Sequence, residues 1–139
     1  MEKKRILIID DSAMMRYALR KLLENEQYTV CGEAEDGAIG IEKAKELSPD
    51  LIFLDFSMPK MNGAEAAPIL KQLLPKVPII LFTMHEEYIA KTLATSHCVD
   101  RVLPKPSDLS QILACIRNLL PAASVIACAA SGITSWFSL

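Results

Sequence analysis

The sequence predicts an α/β fold built on an open parallel sheet, and three observations carry that prediction. Short apolar runs alternate with helix-patterned stretches, separated by brief breaks, as in successive βα units. Arg5–Ile9 and Leu51–Leu54 are nearly continuous apolar runs, as expected of central strands covered on both faces. Four of the runs also end in polar residues. Ile6–Ile9 runs into Asp10 and Asp11, Leu51–Leu54 into Asp55, Ile79–Phe82 into Thr83, and Val102–Leu103 leads through Pro104 to Lys105. Ligands of open parallel sheets bind just beyond the carboxyl ends of the strands, so these five side chains are expected to share one shallow pocket.

Each element follows from local signals. After the first strand, Ser12 is a good N-cap for a helix to about Glu24, with Met15, Ala18, Leu19, Leu22 and Leu23 as an apolar stripe. Tyr28–Ala34 reads as a more polar strand near an edge. Asp36-Gly37 opens a helix to Leu47 with Ala38, Ile41 and Ala44 inward, and Ser48-Pro49 stops it. Leu51–Leu54 is the third strand. A third helix runs to about Leu74, with Pro68 expected to delay its start or bend it. Ile79–Phe82 is the fourth strand, Glu86–Thr95 a weakly patterned helix and Arg101–Leu103 a fifth strand. Ser107 is expected to cap a final helix with Leu109, Ile112, Leu113, Ile116 and Leu120 on one face, ended by Pro121. The segment from Ala122 to Leu139 carries no charged residue and is set apart as an apolar tail, leaving 1–121 as the single domain.

Composition narrows the classes. A chain of 139 residues, 51% hydrophobic and 23% charged, suits one soluble core rather than disorder. A net charge of −2 gives no basic face for nucleic acid. Cys31, Cys98, Cys115 and Cys128 form no CxxC pair and read as reduced thiols. The N-terminus lacks the apolar segment of a secretory signal, and the tail is too polar for a membrane span, so a cytoplasmic protein is expected.

The pocket residues suggest phosphoryl chemistry. Asp10, Asp11 and Asp55 would repel one another unless protonated or bound to a cation, and hard oxygen ligands with room for water suit Mg²⁺. Asp55, alone at the end of the middle strand, can act as a nucleophile, since carboxylates form aspartyl-phosphates. Mg²⁺, Lys105 and the Thr83 hydroxyl would each neutralise one oxygen of an incoming phosphoryl group. A cis bond between Lys105 and Pro106 would aim the ammonium back into the pocket.

The chain resembles the receiver domain of bacterial two-component response regulators. The resemblance rests on Ile-Leu-Ile-Ile-Asp-Asp-Ser at 6–12, Leu-Asp-Phe-Ser-Met-Pro-Lys-Met-Asn-Gly at 54–63, Thr83, and Leu-Pro-Lys-Pro at 103–106, and spans about residues 5–120. It implies a flavodoxin-like (βα)₅ fold with strand order 2-1-3-4-5. It further implies that Asp55 accepts a phosphoryl group from a histidine kinase, and that Asp11, Asp55 and the Ser57 carbonyl ligate Mg²⁺ while Asp10 acts mainly through a water. The face spanning Glu86–Leu120 would then bind or release a downstream protein. Such a domain is a switch that catalyses only its own phosphorylation and dephosphorylation, not a metabolic enzyme.

Three departures from the family pattern stand out. Val102 occupies a position that usually holds a switching aromatic, which predicts weaker coupling or another route. Met84 follows the threonine where a small residue is usual, and is expected to narrow the mouth of the site. Ser57 and His85 stand at the positions that tune dephosphorylation, and neither is an acid or amide that orients water. Two rival readings accompany the switch: the receiver part of a longer transcriptional regulator whose DNA-binding domain is absent from this chain, and a dimer held by the tail through Trp136-Phe137. A haloacid-dehalogenase-type phosphatase needs an Asp-x-Asp after its first strand, which Asp10-Asp11-Ser12 does not supply.

Overall fold

In the computed structural model, residues 3–84, 98–105 and 107–120 are described. The elements are β1 (Arg5–Ile9), α1 (Ala13–Asn25), β2 (Thr29–Ala34), α2 (Gly37–Leu47), β3 (Leu51–Asp55), α3 (Gly63–Leu73), β4 (Ile79–Thr83), β5 (Arg101–Pro104) and a last helix, Leu109–Leu119. All strand pairs are parallel and the sheet order is β2-β1-β3-β4-β5, as the family resemblance implies. β2 is indeed an edge strand.

The period of two along β1 splits the core into two layers. Leu7 and Ile9 face the cluster beneath α2 and α3, while Ile6 and Ile8 face the cluster beneath α1 and the last helix. All four are fully buried. At about 2 kcal/mol each, β1 alone outweighs an exposed pair such as Lys45–Glu42, worth less than about 1 kcal/mol.

The N-terminal edge of the sheet is stapled by polar contacts. The Arg5 guanidinium donates to the Leu47 carbonyl at 2.6 Å, and Asp50 accepts from the Arg5 amide at 2.8 Å. On the far side, Asp100 accepts from the Ile79 amide at 2.8 Å and pairs with Lys71 at 2.7 Å. These fasten the end of the sheet remote from the predicted pocket.

Several local expectations are corrected. Ala18 and Ala38 are exposed; Gly37 and Gly40 are buried on α2 beside Ile41 and Ala44. A Cβ on Gly40 would lie 2.5 Å from the Ile9 side chain, so close helix–strand packing makes this an inward position. Pro68 does not delay α3. The helix begins at Gly63 because Asn62 and Glu65 form a capping box, and Pro68 falls on the exposed side of the second turn. The cap of the last helix is Asp108, not Ser107: Asp108 accepts from the Gln111 amide at 2.9 Å. The Ser107 hydroxyl instead donates to the Pro104 carbonyl at 2.6 Å. Leu109 is 50% exposed rather than inward, whereas Ile112, Leu113 and Ile116 are buried. The predicted helix at Glu86–Thr95, His85, His97, Pro106 and the tail lie outside the described residues.

Candidate functional site

The carboxyl edge of the sheet gathers the predicted side chains. Asp10 follows β1, its amide donating to the Ala34 carbonyl at 2.9 Å. Its carboxylate accepts from the Ser12 amide at 2.9 Å, which sets the turn into α1, and the Ser12 hydroxyl then accepts from the Met15 amide. Asp55 closes β3, and Thr83 closes β4 with 1% of its surface exposed. The Lys105 amide donates to the Thr83 carbonyl at 2.9 Å, which carries the β4–β5 pairing one residue past the strand and delivers the lysine to the pocket.

Lys105 spans the acids. Its Nζ lies 3.0 Å from Asp10 Oδ2 and 2.9 Å from Asp55 Oδ1, and 5.8 Å from the centre of the Phe82 ring. Asp10 and Asp55 are buried, Asp11 is exposed, and one carboxylate oxygen of each lies within 4.8 Å of the others. Burial is the main force on Asp55, followed by the opposing hydrogen bond from Lys105 and then the charges of Asp10 and Asp11. The net result lifts its pKa to about 6. Burial works against the Lys105 charge, but the hydrogen bonds to Asp55 and Asp10 outweigh it and raise its pKa. Beside the acids lies an open depression lined by Asp11, Phe56, Ser57, Met58 and Asn62.

The loop carrying Ser57 is tightly wound. The Met61 amide donates to the Pro59 carbonyl at 2.7 Å across Lys60, whose φ is 66°, so three residues make a γ-turn with a left-handed centre. Gly63 then brings α3 directly against the end of β3. Its amide donates to the Phe56 carbonyl at 2.8 Å, and an added Cβ would lie 2.6 Å from the Asp55 carbonyl and 2.9 Å from the Phe56 Cα. Gly63→Ala is therefore expected to cost about 2 kcal/mol in urea unfolding, because backbone on both sides must move. An unchanged midpoint would mean that this approach constrains nothing.

Two supporting residues were not legible as part of the site. Arg16 donates to the Asp10 carbonyl at 2.7 Å and pairs with Glu33 at 3.1 Å, tying α1 and β2 to the acid-bearing turn. Arg20 holds the other Glu33 oxygen at 2.6 Å. Their signal in the sequence is a spacing of one helical turn on α1, which by itself names no partner outside the helix. Of the departures, Val102 is half-buried opposite Leu81, and Met84 is 75% exposed just past β4.

Parallel strands in this order, with clustered acids and a lysine at the carboxyl edge, define a flavodoxin-like α/β domain with an acidic pocket at that edge. Residues 6–117 match the response regulator receiver domain, and the chain belongs to that family. It is 34% identical over 116 residues to the chemotaxis protein CheY of Bacillus subtilis, covering 84% of this chain and 97% of that one. It is 42% identical over 86 residues to the transcriptional regulatory protein YdfI of the same organism, covering 61% of this chain and 40% of YdfI. The chain thus spans well under half the length of that relative. Among solved structures, the response regulator domain of Thermotoga maritima CheB superposes with a TM-score of 0.77 at 29% identity, covering 84% of this chain and 96% of that one. No helix among the described residues is long and apolar enough to cross a membrane.

Proposed function

We propose that the protein is a phosphorylation-dependent switch in which Asp55 accepts a phosphoryl group from a phosphohistidine of a sensor kinase or phosphotransfer protein. The observation that carries this reading is the direct contact of one ammonium, that of Lys105, with both buried acids. An Asp55 oxygen attacks phosphorus, the P–N bond breaks, and the donor imidazole leaves with the electron pair. The Asp55–Lys105 contact exchanges for one between Lys105 and a phosphoryl oxygen, and the Thr83 hydroxyl serves a second oxygen.

The donor set fits Mg²⁺: three carboxylates lie close together, two of them paired with one lysine, beside an open depression with room for water. Asp11, Asp55 and the Ser57 carbonyl would hold the ion directly and Asp10 through a water. When bound, it supplies charge neutralisation for the transferred group.

Phosphorylation would change the charge at one end of β4 and β5 and shift the face between Glu86 and Leu120 toward binding or releasing a downstream protein. Residues 1–121 would form this unit, with 122–139 as an appendage. The domain works as a switch rather than a metabolic enzyme, in the cytoplasm where its donors reside. The test is intact mass after incubation with Mg²⁺ and acetyl phosphate. One phosphoryl group should appear on the parent and none on Asp55→Asn; uptake by the variant would place the acceptor elsewhere.

The likeness to YdfI supports a second reading, that this receiver serves a transcriptional output carried by a segment other than residues 1–139. A reporter whose transcription responds to Asp55→Asn in the host would favour it.

A further inference from the structure

The two acids that follow β1 are held in different ways. The Asp10 side chain has its own fixings: one carboxylate oxygen accepts from the Ser12 amide, and the other meets the Lys105 ammonium. Its amide is fixed separately, on the Ala34 carbonyl. Asp11 has no such support. Its side chain is exposed, and among the described residues no hydrogen bond reaches its carboxylate or its amide. What aims Asp11 is therefore the plane of the peptide that joins it to Asp10. Among the described residues, the one hydrogen bond on that peptide comes from Arg16, whose Nη1 donates to the Asp10 carbonyl at 2.7 Å.

The guanidinium is itself aimed from β2. Its Nε pairs with one Glu33 oxygen at 3.1 Å, Arg20 takes the other at 2.6 Å, and Lys43 on α2 donates to the Glu33 carbonyl at 2.5 Å. Burial works against the Glu33 charge, but the hydrogen bonds from Arg20 and Arg16 outweigh it and lower its pKa, so the acid stays ionised at neutral pH. Glu33 directly precedes Ala34, whose carbonyl holds the Asp10 amide. One stretch of β2 thus fixes the turn twice, through the main chain and through Arg16.

We propose that Arg16 is a positioning residue for the cation site: by gripping the Asp10–Asp11 peptide it aims the Asp11 carboxylate at the cluster formed with Asp10 and Asp55, and so sets the affinity for Mg²⁺. The inference rests on the reading of these acids as a Mg²⁺ site. Metal ligands that lose an outer partner of this kind lose roughly 10–100-fold in affinity. Charge alone predicts the opposite. Arg16 carries a positive charge close to the acids, so removing it would relieve repulsion and tighten cation binding. The sign of the change therefore separates positioning from electrostatics.

The experiment is isothermal titration calorimetry of the full-length protein with magnesium chloride at fixed pH and ionic strength. The parent should bind Mg²⁺ and Asp11→Asn should bind it far more weakly. These two arms test the underlying reading, and failure of either would overturn the site and the role of Arg16 with it. Given both, Arg16→Met should weaken binding roughly tenfold while its far-UV circular dichroism stays that of the parent. Arg16→Lys keeps the charge but not the planar fork that serves the Asp10 carbonyl and Glu33 together, and should lose several-fold. Arg20→Met breaks a Glu33 contact but leaves the hydrogen bond to the Asp10 carbonyl in place, and should lose least. Parent-like or tighter binding in folded Arg16→Met would overturn the proposal. Where that variant does not fold, parent-like binding by Arg16→Lys overturns it instead. An equal loss in Arg20→Met would also overturn it, by assigning the effect to the general stability of α1.

Discussion

Lys105→Met is expected to destabilise the protein by about 3 kcal/mol at pH 8 in magnesium-free buffer, and by clearly less at pH 5. The substitution keeps the aliphatic stem but removes the ammonium in direct contact with Asp10 and Asp55, which are 2% and 4% exposed. Breaking a buried pair from one side leaves uncompensated charge, which is why the cost exceeds that of a surface ion pair. At pH 5 the strain has an outlet. Asp55, already lifted to about 6 by burial, takes a proton and no longer needs the ammonium. Urea unfolding at the two pH values is the measurement. An equal loss at both would mean that Lys105 acts through packing rather than charge. The variant should also fail to take up phosphoryl from acetyl phosphate at the parent rate.

Asp55→Asn should move stability the other way. The Asp55 carboxyl has a folded pKa of about 6, raised from 3.8, so the folded protein holds this proton more tightly than the unfolded chain does. Its contribution to stability is therefore greatest below pH 4, falls as pH rises toward 6, and levels off above that. The full span is about 3 kcal/mol for a shift of this size. Asparagine has nearly the same shape and no charge, so at pH 8 without Mg²⁺ the variant should exceed the parent by up to this amount, and the slope between pH 4 and 6 should largely disappear. Mg²⁺ should stabilise the parent, by about 2.7 kcal/mol at a hundred times its Kd, and the variant far less. A variant that keeps the parent's slope would assign the titration to another group. Together the two substitutions ask whether the acids and the lysine form one balanced set: removal of the cation hurts, and removal of an anion helps.

The α/β class and all five strands were legible because their signals are local. A β-branched run between breaks is a strand whatever it packs against, and parallel central strands, covered on both faces, read as unbroken apolar segments. The caps at Ser12 and Asp36 were legible for the same reason, since a side chain that accepts from its own helix needs no distant partner. Ser107 shows the limit. Ser107 and Asp108 are adjacent cap formers, and the helix starts from Asp108, whose carboxylate accepts from the Gln111 amide, while the Ser107 hydroxyl donates to the Pro104 carbonyl.

The membership of the acid pocket was also legible, because parallel strands present their carboxyl ends on one edge and the terminal residues can be read directly. The sequence by itself therefore determined the fold class, the helix starts at Ser12 and Asp36, and which side chains reach that edge. Only the tertiary structure decided how they are arranged. It buried Asp10 and Asp55 and left Asp11 in solvent, set one lysine between the two buried acids, and pressed Gly63 against the backbone of Asp55. It also recruited Arg16 to the Asp10 carbonyl and turned Ala18 and Leu109 outward to leave a groove. Periodicity is set by bonds within a few residues, so the chain carries it alone. Burial, charge pairing and close backbone approach depend on elements far apart in the chain and exist only once the sheet has assembled.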